Sequence, residues 1–231
     1  KEIESDRIAH KKKTLKISET TTTKNIRIST TDPECGVFHK GEHKKVFAYT
    51  ANTACDKNNF ILDFVLSPGN TNDSKSFPEL YRKLIAKYND IKHIVVDAGY
   101  KIPAIAKLII DDGKIPVMPY KRPMTQNGFF KKYDYVYDEY YDCYICPNDQ
   151  ILKYSTTNRD GYKEYKSNSK ECKNCIFLNM CTNSKDNTKV ILRHLWEEYM
   201  EKVEDIRHTT GIKELYSLRS QTIERIFADA K

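Results

Sequence analysis

Short apolar segments alternate with polar ones over the first half of the chain, and this pattern predicts strands flanked by helices. Strand-forming residues dominate VFAYTANTAC (46–55) and NFILDFVLS (59–67), and the residues between them are typical of a turn. These two segments therefore predict an antiparallel hairpin. An amphipathic helix is predicted to follow, with Ser74 or Ser76 as its N-cap, Pro78 in its first turn and its end near residue 88.

The next apolar segments predict a parallel strand–helix–strand unit. A short strand is expected over 93–97, a helix over 103–111 that Gly113 ends, and a second strand over 115–120. Two strands joined by one helix within about 30 residues are typical of a right-handed parallel crossover. Together with the hairpin, this unit predicts an α/β fold built on a mixed sheet with helices packed on it.

The pattern changes after the second strand. Aliphatic positions become scarce and Tyr, Lys, Asn and Cys become common until about residue 195, after which the pattern is helical again. We therefore expect four parts: a polar linker or helix (1–31), a first part of the core (32–122), a cysteine-rich insertion (123–195) and a C-terminal helical part (196–231). Both ends look like cuts through a longer chain.

Charge and composition narrow the class of protein. The 231 residues include 39 Lys and Arg against 32 Asp and Glu, a net charge of +7, which suits a polyanionic partner but does not require one. The apolar runs are far shorter than the roughly 20 residues of a membrane-spanning helix. The chain starts with charged residues and has no signal-peptide pattern. We expect a soluble, cytoplasmic protein that does not enter a membrane.

Asp97 is an acid at the end of an otherwise apolar strand, in HIVVDAGY (93–100). The carboxyl ends of strands in α/β sheets form the crevice in which ligands bind. Carboxylate oxygens there suit Mg²⁺, and two metal ions together can stabilise both the attacking and the leaving oxygen of a phosphodiester. The alternative is that Asp97 only caps the following helix, and taken alone this is the better interpretation.

Glu224 lies among apolar residues in the C-terminal segment ELYSLRSQTIERIFADAK (214–231). We expect it near the buried face of a helix, where a carboxylate is costly unless it is paired or binds a cation. Lys231 follows two helical turns later, on nearly the same face, and can hold a phosphate. The alternative is an ordinary amphipathic helix with Glu224 at its boundary.

The cysteines predict a structural Zn²⁺ site. Five of the seven lie in one segment, as Cys143-x-x-Cys146, Cys172-x-x-Cys175 and then Cys181. Two CxxC pairs about 25 residues apart are a strong signal for tetrahedral zinc. Spacing alone selects Cys143, Cys146, Cys172 and Cys175. Basic residues of the same segment are candidate phosphate contacts: Arg159, Lys163, Lys166 and Arg193.

Several motifs in one order resemble the DDE transposases of bacterial insertion sequences, in the group with a cysteine-bearing insertion before the last acid. They are STTDPECG (29–36), SPGNTNDS (67–74), VVDAGY (95–100), PYKRP (119–123), YICPNDQ (144–150), TTNRDGYKEY (156–165) and TIERIFADAK (222–231). This resemblance implies an RNase H-like fold with two Asp and one Glu that bind two Mg²⁺ (or Mn²⁺) ions. Asp97 matches the second Asp of the family, and Glu224 matches its Glu.

The first Asp of the family has no match in this chain, because its Asp-Gly-Thr context is missing. The resemblance places that residue before Lys1. Three acids within the chain are weaker candidates: Asp32, Asp63 and Asp73. A chain without the first Asp is expected to lack full catalytic power.

The resemblance also supplies DNA-binding and zinc-binding candidates. Related elements carry a tyrosine–arginine–glutamate–lysine signature, which Tyr216, Arg219, Glu224 and Lys231 resemble. Arg219 departs from it, because five residues before Glu224 on one straight helix it points about 140° away. Lys121 and Arg122, in PYKRP, are further candidates for DNA contact. For zinc, the resemblance favours Cys146, Cys172, Cys175 and Cys181, with Cys143 as the alternative ligand.

The leading hypothesis is the catalytic domain of a transposase, truncated here, which cleaves DNA strands and joins them with Mg²⁺. The expected partners are double-stranded DNA, at the transposon ends and the target, and a second copy in a homodimer. Two alternatives remain: a non-catalytic zinc-ribbon module that binds nucleic acid, and an inactive remnant of a transposon.

Overall fold

The computed structural model describes residues 1–16, 27–40 and 44–229. The chain forms two compact units. Unit 1 contains Lys1–Thr20 and Lys121–Glu197, and unit 2 contains Thr21–Tyr120 and Glu198–Lys231. The expected four-part division at residues 31, 122 and 195 stays a prediction.

The described residues form helices and strands in the following order. The α-helices are α1 (Glu2–Ala9), α2 (Asp73–Lys87), α3 (Pro103–Asp111), α4 (Ser169–Cys172), α5 (Leu178–Cys181), α6 (Glu197–Arg207), α7 (Ile212–Ser217) and α8 (Ile223–Asp229). The strands are β1 (Gly36–Lys40), β2 (Lys44–Cys55), β3 (Ile61–Pro68), β4 (His93–Val95), β5 (Ile115–Val117), β6 (Val136–Asp138), β7 (Cys143–Ile145), β8 (Ile151–Thr157), β9 (Tyr162–Lys166) and β10 (Val190–His194). Short 3₁₀ helices span Ala98–Tyr100, Lys132–Asp134 and Leu218–Gln221.

The hairpin of unit 2 has the predicted form. β2 pairs with β3 in antiparallel register from Tyr49–Pro68 to Cys55–Ile61, and β1 adds a third strand on the other side of β2. Val65 and Ser67 face inward and are buried, whereas the side chains of Phe64 and Leu66 alternate with them and are exposed. The period-two pattern of the sequence therefore assigned the strands correctly.

Helix α2 closes the inner side of this sheet, with Leu80 and Leu84 packed against Val65. It begins one turn earlier than the sequence suggested. Its N-cap is Asn72, whose side chain accepts a hydrogen bond from the backbone N–H of Ser74, so the expected capping by Ser74 or Ser76 is wrong. Pro78 consequently lies inside the helix rather than in its first turn. The predicted end is confirmed, because the helix stops at Lys87.

The predicted crossover is confirmed. β4 and β5 are parallel, with His93 opposite Ile115 and Val95 opposite Val117, and α3 joins them over the predicted residues. Gly113 follows α3 with a φ of +68°, a conformation that glycine adopts readily. Within the described residues, this pair and the three-stranded antiparallel sheet are separate hydrogen-bonded sheets, so the single mixed sheet is not formed.

The C-terminal segment is less regular than predicted. Residues 190–194 are a strand, and the helical part is broken into α6, α7, the 3₁₀ helix Leu218–Gln221 and α8. Gly211 opens α7 with a φ of +87°, and Thr222 separates the 3₁₀ helix from α8 with φ −113° and ψ −101°. The prediction of one uninterrupted helix over 214–231 is therefore wrong for residues 214–229, the part of this segment that the structure describes.

Unit 1 is built on a five-stranded antiparallel sheet in the order β10-β9-β8-β7-β6. Its core consists largely of tyrosines packed edge to face, with Tyr144 and Tyr165 at 5.1 Å between ring centroids and Leu152 fully buried beside them. Helix α1 belongs to this unit, because Arg7 donates to the carbonyl of Thr157 at 2.5 Å. The predicted insertion thus has a core of its own.

The described elements confirm an α/β fold. The RNase H-like topology and the zinc ribbon remain expectations that rest on the family resemblance. Among the described residues, no helix combines the length and the apolar character that a membrane span requires.

Candidate functional site

Asp97 lies two residues beyond β4, at the carboxyl end of the parallel pair. Its carboxylate accepts a hydrogen bond from the backbone N–H of Ala98 at 2.7 Å and so caps the 3₁₀ helix Ala98–Tyr100. The side chain is nevertheless 56% exposed. The capping interpretation is therefore correct, and it leaves much of the carboxylate open to solvent.

Arg219 connects Asp97 with Glu224. Its Nη1 lies 3.1 Å from Oδ1 of Asp97 and 3.8 Å from Oε1 of Glu224, and it also donates to the hydroxyl of Tyr216 at 3.1 Å. Its guanidinium carbon lies 5.5 Å from the centroid of the Tyr216 ring. Two acids that are far apart in the sequence thus meet at one cation, and three residues of the tyrosine–arginine–glutamate–lysine signature take part: Tyr216, Arg219 and Glu224.

The break in the C-terminal helix makes this arrangement possible. Arg219 belongs to the 3₁₀ helix and Glu224 to α8, so the angle of about 140° expected on one straight helix does not apply. Glu224 is 56% exposed, and its expected position near a buried face is wrong. Lys231, the last residue of the signature, lies outside the described residues.

The three weaker candidates for a first acid differ in their surroundings. Asp63 forms an ion pair with Lys87 at 2.5 Å, and Asp32 accepts a hydrogen bond from the Tyr49 hydroxyl at 3.1 Å. Asp73 lies closer to the site, because its charge and that of Asp97 both act on Tyr100. Across residues 1–16, 27–40 and 44–229, no three His, Cys, Asp or Glu side chains gather as a metal-binding group.

Tyr100 and Asn52 are two residues of this region that the sequence did not single out. The Tyr100 hydroxyl donates to Oδ1 of Asn52, in β2, at 2.6 Å. Burial raises the pKa of Tyr100 to about 12, the charges of Asp73 and Asp97 act in the same direction, and Arg219 opposes them. Asn52 is only 4% exposed. In the sequence, the only sign of this contact is a polar residue, Asn52, at a strand position whose side chain faces inward.

A cavity of about 480 Å³ opens at the carboxyl end of β5. Its lining includes Tyr120, Arg207, Lys213 and Tyr216, the last of which also binds Arg219. The guanidinium of Arg207 stacks on the Tyr120 ring at 5.2 Å and is held by Glu204 at 2.8 Å. Aromatic and cationic side chains therefore line a concave surface next to the residues that contact Asp97.

Three of the zinc candidates, Cys146, Cys172 and Cys181, lie close enough in unit 1 for their charges to interact. Burial raises the pKa of the Cys181 thiol, and the charges of Cys172 and Cys146 act in the same direction. The sulfur of Cys146 accepts a hydrogen bond from the backbone N–H of Gln150 at 3.4 Å. The backbone N–H of Cys175 donates to the carbonyl of Cys172, so these two share one tight turn.

Cys143 has different surroundings. It is buried in β7, and this burial raises the pKa of its thiol. The charges of Asp138 and Asp142 raise that pKa further, and none of the causes is another cysteine. The thiols of the described chain do not enclose a metal position as they stand. Their chemistry and turn geometry fit zinc, since thiolates that accept backbone N–H bonds are usual zinc ligands.

A second group of polar residues in unit 1 surrounds Asp142. Its carboxylate accepts hydrogen bonds from the hydroxyls of Tyr165 (2.6 Å) and Tyr137 (2.7 Å), and it lies 2.7 Å from Nε2 of His10 and 3.5 Å from Nζ of Lys163. Burial acts to raise the pKa of Asp142, but these donors prevail and lower it to about 2. No pattern in the sequence singled out this cluster.

The basic candidates of the insertion are mostly engaged within unit 1. Lys163 pairs with Asp6 and Asp142, Lys166 lies 3.3 Å from Glu164, and the guanidinium of Arg193 stacks on Tyr137 at 4.0 Å. Lys121 and Arg122, by contrast, are exposed. Contact of these two residues with DNA stays a prediction.

Comparisons with known proteins complete the description of the site. A search of curated proteins and a search of solved structures returned no match. Residues 145–231 match a protein family described as "Transposase DDE domain". The matched segment contains the whole signature, from Tyr216 to Lys231, and the last cysteine, Cys181. Asp97 lies outside it. The resemblance to DDE transposases is thereby confirmed over residues 145–231, the part of the chain that is similar to the transposase DDE domain family.

Proposed function

We propose that the chain is part of the RNase H-like catalytic core of an insertion-sequence transposase that cleaves and joins DNA strands. The observation that carries the proposal is the meeting of Asp97 and Glu224 at Arg219. Glu224 comes from the matched segment and Asp97 from a strand end outside it. Two open carboxylates at the carboxyl end of a parallel pair are the arrangement that metal-dependent phosphoryl transfer needs.

The two carboxylates fit a divalent cation. Both are more than half exposed, and a cation, the guanidinium of Arg219, already lies between them and offsets their mutual repulsion. Asp97 and Glu224 would therefore hold Mg²⁺ or Mn²⁺, which would supply Lewis-acid stabilisation of the reacting oxygens. The family resemblance adds a third carboxylate, that of the first Asp. A non-catalytic zinc-ribbon module does not account for this convergence.

The same region suits a DNA strand. The cavity beside Tyr216 offers Arg207 and Lys213 for phosphates and the Tyr120 ring for a base. In unit 1, the exposed Lys121 and Arg122 are separate candidates for phosphate contact. We propose double-stranded DNA, at the ends of the element and at its target, as the substrate. A homodimer that holds two ends is part of the same proposal.

The test is strand cleavage by the full-length protein with Asp97→Asn and Glu224→Gln. Each substitution removes one negative metal ligand, and we expect cleavage of element-end DNA with Mg²⁺ to fall by about 10³-fold or more. DNA affinity should change little, because no phosphate contact is lost. Cleavage rate and a binding isotherm at one fixed salt concentration are the measurements.

Asp205→Asn is the matched control, since Asp205 is an exposed acid of α6 in the same unit. It should cleave at the rate of the unsubstituted protein. Normal cleavage by either Asp97→Asn or Glu224→Gln would overturn the assignment.

For unit 1 we propose a structural zinc site formed by Cys146, Cys172, Cys175 and Cys181. The electrostatic proximity of Cys181 to Cys172 and Cys146 supports this set over the one that includes Cys143. The limits of the family match support it too, because the match starts at residue 145, after Cys143. Four thiolates would bind Zn²⁺ tetrahedrally and tie α4 and α5 to the sheet.

Metal content distinguishes the two sets of ligands. We expect about one zinc per purified chain, nearly none in Cys181→Ser, and an unchanged amount in Cys143→Ser. Elemental analysis after dialysis gives the ratio. The reverse pattern, zinc lost with Cys143 and kept without Cys181, would favour the set selected by spacing.

A further inference from the structure

The turn that carries Asp97 is short and is held at its far end. The 3₁₀ helix Ala98–Tyr100 starts at the Asp97 cap, and the N–H of Tyr100 donates to the Asp97 carbonyl at 3.0 Å. The next residue, Lys101, donates to the Pro119 carbonyl at 2.9 Å and pairs with Glu204. Because the turn is only three residues long, the placement of Tyr100 and Lys101 determines the placement of Asp97.

Tyr100 ties this turn to the antiparallel sheet. Its hydroxyl donates to Oδ1 of Asn52 at 2.6 Å, and its ring packs against Phe77 with centroids 5.6 Å apart. Asn52 lies on β2 and the turn follows β4, so this hydrogen bond joins two sheets that share no backbone pairing among the described strands. Removing it would release the turn from β2 and leave the packing of the ring intact.

Asn52 is an unfavourable residue for stability alone. It is 4% exposed, and its Nδ2 is buried with no hydrogen-bond partner among the residues that the structure describes. An unpaired buried donor lowers the stability of a fold, and an apolar residue of similar size would avoid that loss. The contribution of this amide is its Oδ1, which accepts the hydrogen bond from the Tyr100 hydroxyl.

We propose that Tyr100 and Asn52 are positioning residues for Asp97, and that the hydroxyl–amide bond between them fixes the carboxylate where Arg219 and Glu224 converge. Neither side chain reaches the metal or the DNA in this role. Tyr100 stays a hydrogen-bond donor throughout the neutral range, because burial raises its pKa to about 12. The inference rests on the proposed function, in which Asp97 is a metal ligand.

The experiment measures cleavage by full-length Tyr100→Phe and Asn52→Leu. A misplaced ligand lowers the rate of the chemical step, by up to about 10²-fold for a displacement near 1 Å. We expect kcat to fall about tenfold or more in both variants, with DNA affinity unchanged. Because both remove the same bond, the double variant should be no slower than the slower single one.

Tyr199→Phe is the matched control. It also removes one tyrosine hydroxyl from unit 2, the one that donates to Asp111 at 2.9 Å, and it should leave kcat unchanged. Thermal melts identify any variant that fails to fold. If Tyr100→Phe does so, Asn52→Leu, which fills the space with an apolar side chain, decides the matter.

The outcomes separate this inference from the proposed function. Cleavage at the normal rate by the folded variants, or losses that add in the double variant, would overturn the positioning role. If Asp97→Asn is inactive while Tyr100→Phe is normal, only the positioning role is wrong. If Asp97→Asn cleaves normally, the proposed function fails first.

Discussion

Asp142 in unit 1 and Asp97 in unit 2 show two opposite uses of an aspartate. Asp142 is 24% exposed and is surrounded by the donors of Tyr137, Tyr165, His10 and Lys163. Asp97 is 56% exposed and has one backbone donor and one arginine. A carboxylate whose lone pairs are filled by fixed donors holds a structure together, whereas one with open lone pairs is available to a ligand. The number of fixed donors therefore separates the two roles better than the sequence does.

The largest expected effect on stability comes from Asp142→Asn. The substitution removes the charge on which two hydroxyls, an imidazole and an ammonium converge, and we expect it to lower the free energy of unfolding by about 2 kcal/mol. Trp196, the one tryptophan of the chain, lies in unit 1, so its fluorescence during urea unfolding reports on this unit. Asp97→Asn should lower the free energy of unfolding of unit 2, followed by circular dichroism in the same titration, by less than about 0.5 kcal/mol. Equal effects of the two substitutions would break the comparison.

Acid provides a second test of the same carboxylate. The pKa of Asp142 is lowered from 3.8 to about 2 in the folded protein, so its contribution is fully present above about pH 4 and is lost as the pH falls through 2. The shift corresponds to about 2 kcal/mol. The difference in unfolding free energy between the unsubstituted protein and Asp142→Asn should shrink over this range. A difference that stays constant from pH 5 to pH 2 would contradict the assignment.

His10→Phe should have a smaller effect. The ring of His10 stacks on Tyr154 at 3.8 Å, and phenylalanine keeps that contact while it loses the hydrogen bonds to Asp142 and to the Asp6 carbonyl. We expect the free energy of unfolding that Trp196 fluorescence reports to fall by about 1 kcal/mol. His39→Phe, an exposed position of β1 in unit 2, is the control and should leave this signal unchanged. If both variants behave alike, His10 does not hold α1 on unit 1.

Arg219→Gln is expected to change stability less than His10→Phe does. Its ion pairs involve two carboxylates that are more than half exposed, and such pairs contribute less than about 1 kcal/mol. Thermal melting should shift by no more than 1–2 °C, and the shift should vanish at about 1 M salt. A large, salt-independent loss would mean that Asp97 and Glu224 are structural partners, as Asp142 is, rather than open ligands.

The local pattern of the sequence predicted much of the fold of unit 2. The hairpin, the crossover and helix α3 follow from periodicity, turn residues and helix-end signals that act over a few residues. The C-terminal helix was predicted wrongly, because the turns at Gly211 and Thr222 interrupt an amphipathic pattern that continues across them. Breaks of this kind in a helix cannot be detected from hydrophobic periodicity. They nevertheless determine which side chains lie on the same face.

The sequence by itself determined the β2–β3 hairpin, the crossover, the place of Asp97 at a strand end and the family match of residues 145–231, since each depends on neighbouring residues or on motif order. The tertiary structure alone decided that Arg219 lies between Asp97 and Glu224, that Asn52 receives the Tyr100 hydroxyl, and that Asp142 is enclosed by donors. These contacts join residues far apart in the chain. Their physical basis, charge and hydrogen bonding across packed elements, exists only once the elements are in place.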